Sequence, residues 1–302
     1  MRETSSDFDI VILGHIAKDI NEFRNDKEEA IGGVVYYGGI AGSHMGLKIA
    51  IITRIRREDF HLLEEFKNNG IQYFAYPSKE TSGIRNVYRS ERMEFRDCQI
   101  LGFAGKFKRK EIPILNTKFF VIGSIMAGEV DYRLLKYLYK IYPGKLCLDI
   151  QGFLRKRKKG TIYYTRLNER QKREILKRID YLKIDHNEAE LLTKENDIIK
   201  AAENLIKMGP KEILITHEKG IMLKTKTEFY SLPWKNDSLK GRTGRGDTAF
   251  ISYLGSRIKL SPKESLKFAA ALTSLKMETP GAFNLPLNLV QELIQREYDN
   301  II

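Results

Sequence analysis

The decapeptide GRTGRGDTAF, Gly241 to Phe250, sets three glycines, two arginines and one aspartate immediately ahead of the apolar stretch AFISYLGSRI. Glycines accept backbone angles that other residues resist, and Phe250, Ile251, Leu254 and Ile258 recur at helical spacing. The segment therefore reads as a turn feeding a helix, with Asp247 in the first helical turn. Two roles follow for that acid. As a structural group it would complement the exposed N–H groups and the helix dipole, worth ~0.3–1 kcal/mol. As a chemical group it would be a base beside an anion hole formed by the N–H groups of Gly244 to Asp247. These ten residues alone suit both.

Other phosphate-binding devices fail on context. Gly244, Gly246 and Ala249 formally satisfy a G-x-G-x-x-A pattern, but that fingerprint needs a strand running straight into the turn and an acid-bearing strand ~20 residues later. Here the polar stretch WKNDSLKGR precedes the turn and helices follow. A P-loop is absent as well, since no glycine is followed by Lys-Ser or Lys-Thr at the required spacing. Asn187 and Glu190 in DHNEAE lie three apart after an apolar strand, a spacing that also fits a helix cap and its N3 partner. Asp149 and Gln151 in LDIQGF end a buried strand, on the side where open α/β sheets bind ligands. His15 reads as a packing residue. Cys98 and Cys147 lack metal-ligand spacing and read as reduced structural residues.

The elements that must position these groups alternate along the chain. FDIVILG, IAIITRI, IQYFAYP, KFFVIGSI, KLCLDIQG, DYLKIDHN and EILITHE read as strands, separated by helices over GGIAGSHMGLK, 58–70, 131–141, 169–178, 188–193 and 197–208. GIMLKTK and EFYSLP add strands, and two or three helices close the chain. This predicts one α/β domain over 1–302, with a mainly parallel sheet flanked by helices on both faces. Residues 15–38 and 82–104 break the rhythm with extended segments, expected to form a small strand-rich lid in two insertions; an ordinary β-edge is the plainer alternative.

With 302 residues, 42% hydrophobic and 30% charged, the chain suits a globular protein with a sizeable core. The start MRETSSDFDIVILG lacks a signal-peptide pattern and no apolar run reaches ~18–20 residues, so a cytoplasmic location and no membrane partner are expected. The formal charge of +13 raises nucleic acid as a partner, with LRKRKKG at 154–160 and GKFKRK at 105–110 the densest runs. Lys and Arg are nevertheless spread along the chain without interleaved aromatics, so nucleic acid is not expected as the main ligand, and LRKRKKG reads as a solvated loop.

Four blocks in order resemble the PfkB or ribokinase-like carbohydrate kinases over nearly the whole chain: GG at 32–33, DHNEAE, ITHEKG at 215–220 and TGRGDT. The resemblance implies a ribokinase-like fold and an ATP- and Mg²⁺-dependent kinase that phosphorylates a small sugar, polyol or cyclitol. It implies that Asp247 is the catalytic base beside an anion hole at Gly244, Arg245 and Gly246. It further implies substrate contacts from Asp19, Gly32, Gly33, Tyr37 and Gln151, nucleotide contacts from Asn187, Thr216, Gly220 and Thr243, and magnesium at Glu190. A turn aspartate remains the plain alternative for Asp19. Two departures stand out: Arg245 replaces a small residue of the signature, and VVYYGG follows Gly33 where many sugar kinases have Asn. GGVVYYGG together with LDIQGFLR resembles an archaeal-type subgroup that includes myo-inositol kinases, which favours a myo-inositol-like acceptor bound near Tyr36 and Tyr37. A packing role for both tyrosines stays open, as do a nucleoside kinase on the same scaffold, a non-catalytic sugar- or nucleotide-binding regulator, and a homodimer through the lid.

Overall fold

The computed structural model describes residues 7–24, 26–89, 96–299 and 301. Residues 90–95 of the expected lid segment 82–104, and the first six residues, lie outside the described residues. In chain order the first half holds β1 (Phe8–Leu13), β2 (Ala17–Phe23), β3 (Asp26–Gly32), α1 (Val34–His44), β4 (Ile49–Arg56), α2 (Glu64–Asn68), β5 (Gln72–Ser78), β6 (Gly83–Tyr88), β7 (Arg96–Gly102) and β8 (Thr117–Ile122). Then follow α3 (Tyr132–Ile141), β9 (Leu146–Asp149), α4 (Gln151–Leu154), β10 (Arg155–Lys158), β11 (Thr161–Tyr164), α5 (Glu169–Leu176), β12 (Tyr181–Asp185), α6 (His186–Thr193) and α7 (Ile198–Ile206). The chain ends with β13 (Glu212–His217), β14 (Gly220–Thr225), β15 (Phe229–Pro233), α8 (Arg245–Arg257), α9 (Pro262–Met277) and α10 (Leu287–Glu297).

Nine strands form one sheet in the order β15-β14-β13-β12-β9-β8-β1-β4-β5. All its pairings are parallel except those of β14 with β13 and β15. The parallel strands are nearly continuous apolar runs because both faces are covered. Strand alternation divides β1 between the two layers: Ile10 and Ile12 pack with α1, α8, α9 and α10, whereas Val11 and Leu13 pack with α3, α5, α6 and α7. The α/β architecture with helices on both faces is thus present.

A second sheet of six strands, β10-β11-β7-β6-β2-β3, is antiparallel apart from the β2–β6 pair. Three expectations need correction here. Extended backbone ends at Gly32 rather than at 38, and Val34 to His44 are helical, so Tyr36 and Tyr37 stand on a helix and not in the strand-rich layer. The expected helix over 58–70 is mostly a tight 3₁₀ segment, Arg57–Leu63, before the short α2. LRKRKKG is no loop: β10 and β11 form a hairpin that adds a third insertion to the second sheet. Its two arginines settle on rings and a hydroxyl, with the Arg157 guanidinium 3.3 Å from the Phe103 ring centroid and Arg155 Nε donating to the Tyr164 hydroxyl at 2.7 Å.

Candidate active site

The carboxyl ends of β9, β12 and β13 face a cavity of about 150 Å³ that the second sheet closes from the other side. Strand ends supply Gln151, Lys183, Asp185 and Thr216; the second sheet supplies Asp19, Ile84, Asn86 and Arg155. The amino ends of α1 and α8 bring Gly33, Tyr37 and the run Arg242 to Asp247. Two helices therefore aim their unsatisfied N–H groups and positive dipole ends at one small space.

The α8 turn is shaped by contacts that few residues other than glycine would allow. Gly244 adopts φ +85°, and a Cβ there would lie 2.2 Å from Cγ of Tyr37, so the Tyr37 ring packs directly on the turn. The Thr248 N–H donates to the Gly244 carbonyl at 2.9 Å and begins the helix. The Arg245 N–H donates to the Arg242 carbonyl at 3.1 Å. Arg245 thus engages its N–H inside the turn, whereas the N–H groups of Gly244 and Gly246 make no backbone hydrogen bond among the described residues. The Arg245 side chain instead places its guanidinium 5.9 Å from the Trp234 ring centroid.

Asp247 is half-buried in the first turn of α8. Across the cavity, Asp19 belongs to β2, not to a turn, and its Oδ1 accepts the Ile84 N–H at 2.8 Å. A side chain on Gly32 would put Cβ 2.2 Å from Asp19 Oδ2, so Gly32 makes room for that carboxylate without lining the cavity itself. Tyr37 stands between the two acids: burial pushes its phenol well above the usual range, and Asp19, Tyr36 and Asp247 add to the effect. The two tyrosines part company. Tyr36 leaves the cavity and donates its hydroxyl to Glu65 Oε1 at 3.1 Å, a packing role, while Tyr37 lines the cavity.

Beneath the α8 turn, Lys183 donates to Asp149 Oδ2 at 2.9 Å, both groups being buried. Burial alone would lower the Lys183 ammonium, but the carboxylates of Asp149, Glu188, Asp185 and Asp247 hold it above its ordinary value. Gln151 donates its N–H to Asp149 Oδ1 at 3.1 Å, which fixes the end of β9.

Of the remaining expected residues, Thr216 and Thr243 line the cavity, whereas Asn187, Glu190 and Gly220 do not. Gly220 starts β14, and a Cβ there would meet the Leu232 carbonyl at 2.2 Å. Asn187 and Glu190 are exposed on α6, and neither forms the cap: Asp185 is the N-cap and exchanges hydrogen bonds with Glu188. Sequence reasoning passed over Lys183, Asp185, Arg155, Asn86 and Arg242. Lys183 carried a usable signal, a cation inside the apolar strand YLKID.

No three His, Cys, Asp or Glu side chains converge into a metal cage among the described residues. A magnesium ion held mainly by phosphate oxygens and waters needs only one or two protein carboxylates, so the lining still fits one. Asp185 lines the cavity, and the buried Glu188 Oε1 beside it has no hydrogen-bond partner among the described residues. Burial, helped by Asp185, pushes Glu188 up to about 8, with Lys183 opposing.

Known proteins resemble this chain over most of its length. A model of the pfkB family carbohydrate kinases matches residues 58–288. A solved pyrophosphate-dependent kinase in the ribokinase family, complexed with a pyrophosphate analog and myo-inositol, is 32% identical with a TM-score of 0.83, covering 91% of this chain and 97% of its own. A pyrophosphate-dependent myo-inositol-1 kinase converted by mutation into a myo-inositol-3 kinase is 30% identical with a TM-score of 0.85, covering 94% and 98%. Cytidine kinase of Thermococcus kodakarensis is 27% identical over 267 residues, 85% of this chain and 91% of that protein.

Proposed function

The chain belongs to the pfkB family of carbohydrate kinases and is a phosphotransferase with a hydroxyl acceptor; within that activity, we propose that it phosphorylates a cyclitol such as myo-inositol. The observation that carries this reading is the shared cavity: Asp19, Asn86 and Gln151 offer hydroxyl-binding groups opposite Asp247, with Tyr37 as the apolar face between them. A ring bearing several hydroxyls presents an edge to the carboxylate and a face to the phenol. A nucleoside base needs stacking on both sides, and Tyr37 is the only aromatic residue in the lining among the described residues.

Asp247 accepts the proton of the attacking hydroxyl, and the Gly244 and Gly246 N–H groups hold the charge that develops on the transferred group. Lys183 adds a cation beneath the same turn. Magnesium, when bound near Asp185 or Glu190, would neutralise charge on the donor's phosphates. The second sheet acts as a lid that keeps water away from the transferred group.

For the donor, the reading is pyrophosphate rather than ATP. Arg242, Arg245, Lys183 and Arg155 line a small cavity with cations, and the Arg245 guanidinium lies 5.9 Å from the Trp234 ring centroid, so that ring is already engaged by a cation. The likeness to two pyrophosphate-dependent kinases supports this reading.

A crossed panel tests both halves: kcat/KM for myo-inositol, fructose, ribose, adenosine and cytidine, each with pyrophosphate and with ATP. Myo-inositol with pyrophosphate should lead. A nucleoside leading tenfold, about 1.4 kcal/mol of transition-state preference, replaces the cyclitol reading. Turnover with ATP alone restores the nucleotide donor.

A further inference from the structure

The turn before α8 is fastened from behind by a lysine with no place in the chemistry so far. Lys276, 1% exposed near the end of α9, donates its ammonium to the main-chain carbonyls of Gly241 and Thr243. The Gly241 N–H donates to the Met277 carbonyl at 2.8 Å, so the same turn is tied to the same helix end twice. Gly241 sits so close that a Cβ would lie 1.7 Å from the Thr279 carbonyl oxygen. The Lys276 ammonium also stands 4.9 Å from the Tyr37 ring centroid, and that ring packs on Gly244. One cation therefore touches both supports of the glycine turn: the carbonyls that precede it and the ring beneath it.

Burying an ammonium is expensive unless its donors are matched. A methionine or leucine would fill the same space without that cost, yet would leave two carbonyls of an irregular turn without partners. Burial lowers the Lys276 ammonium to about 7, and the Asp247 carboxylate pulls it back up, which places the cation within electrostatic reach of the proposed base.

We propose that Lys276 is a positioning residue for phosphoryl transfer: by holding the Gly241 and Thr243 carbonyls, its ammonium fixes the turn so that the Gly244 and Gly246 N–H groups and Asp247 meet the reacting atoms in register. The inference rests on the reading of that turn as the anion hole. It touches neither acceptor nor donor, so its effect falls on transition-state geometry more than on binding.

The test compares wild type, Lys276→Met and Asp247→Asn in the complete chain, with folding verified by circular dichroism and thermal unfolding. The expected result for Lys276→Met is a kcat lower by about 10²-fold with acceptor KM within about threefold, because misplacement of the hole removes transition-state contacts. Hydrogen exchange should quicken across 241–247 and stay unchanged in the rest of the chain. A folded Lys276→Met with kcat within threefold of wild type, or with 241–247 exchanging as in wild type, overturns the proposal. Where Lys276→Met does not fold, the neutral and shorter Lys276→Gln carries the same criteria, and failure of both to fold makes Lys276 a folding residue and overturns it too. Loss of activity in Asp247→Asn alone condemns only the role of Lys276; full activity in both variants condemns the anion-hole reading itself.

Discussion

The Lys183 ammonium and the Asp149 carboxylate, 2.9 Å apart and both buried, join the middle of β12 to the end of the neighbouring strand β9 directly below the α8 turn. A Cβ on Gly246 would lie 3.1 Å from the same ammonium, so the pair braces the turn whose N–H groups face the cavity. Breaking a buried pair leaves one uncompensated charge, whereas replacing both partners by apolar groups is often neutral. Lys183→Met alone should therefore lose about 3–5 kcal/mol of stability in denaturant titration. The double variant Lys183→Met/Asp149→Leu should recover most of that stability yet stay poorly active, which separates the cation's role beneath the turn from its role in folding.

Asp247→Asn keeps size and hydrogen bonding while removing the base. Turnover at saturating substrates should fall roughly 10²–10⁴-fold with thermal stability nearly unchanged, the usual worth of a positioned base. Near-normal turnover would return Asp247 to the helix-dipole role that its place in the first turn also suits.

The two glycines of the turn should respond differently to alanine. At Gly244 the backbone has φ +85° and the new Cβ meets the Tyr37 ring at 2.2 Å, so Gly244→Ala should destabilise the fold by at least about 1–3 kcal/mol and abolish turnover. At Gly246 the nearest atoms are the end of the Lys183 side chain, at 3.0 Å, which can shift. Gly246→Ala should fold with a melting temperature close to wild type but lose turnover, as Lys183 is displaced and the anion's approach is narrowed. Equal melting temperatures for the two variants would show that the Tyr37 contact does not constrain the turn.

Much of this was legible in the residues. The βα alternation follows from apolar runs separated by helical periodicity, and the glycine turn before AFISYL announces its own geometry. What stayed hidden has a common cause, charge in unexpected company. RKRK at 155–158 reads as a solvated loop because its lysines and arginines hide the strand, and only the β-branched and aromatic TIYY beside it hints at a hairpin. Lys183 and Lys276 look like ordinary surface lysines unless their positions are followed. Lys183 falls among the buried residues of β12, and Lys276 lies three residues after Thr273 on the buried face of α9. The resemblance singles out Tyr37 as a substrate contact, but the physical ground for separating it from Tyr36 is hidden in the sequence, since adjacent residues point about 100° apart only once the helix is known.

Magnesium dependence distinguishes two carboxylates. Asp185 lines the cavity and caps α6, while Glu190 is exposed further along the same helix. If Glu190 organises the ion through water, Glu190→Gln should raise the magnesium concentration needed for half-maximal rate with no change in melting temperature. Asp185→Asn should raise it too and also lower the melting temperature, since the cap accepts the Glu188 N–H at 2.8 Å. An unchanged magnesium requirement in Glu190→Gln removes that residue from the metal site.

The junction between the two sheets should leave its mark on stability against pH. Glu129 is fully buried and accepts the N–H groups of Ile125 at 2.7 Å, Met126 at 2.8 Å and His15 at 3.2 Å, joining the chain after β8 to the step from β1 into β2. Burial pushes its carboxyl from 4.5 up to about 8, with those N–H groups pulling down. A folded pKa above the unfolded one contributes stability that is complete below about 4.5 and is lost as pH rises through about 8. His15 has the opposite sign: burial, with Arg54 adding, lowers it from 6.5 to about 3, so its contribution is complete above 6.5 and is lost as pH falls through about 3. Between pH 6.5 and 9 only the Glu129 effect should differ between wild type and Glu129→Gln, because Glu188, pushed up to about 8, and Lys276, pushed down to about 7, are common to both. Glu129→Gln cannot accept all three N–H groups and should melt lower at every pH. The gap between the two melting curves should nevertheless narrow from pH 6.5 to about 8 and level off above it, because the unfolded chain has already released this proton while folded wild type holds it up to about 8. A gap that stays constant across that interval would show that Glu129 does not change ionisation there.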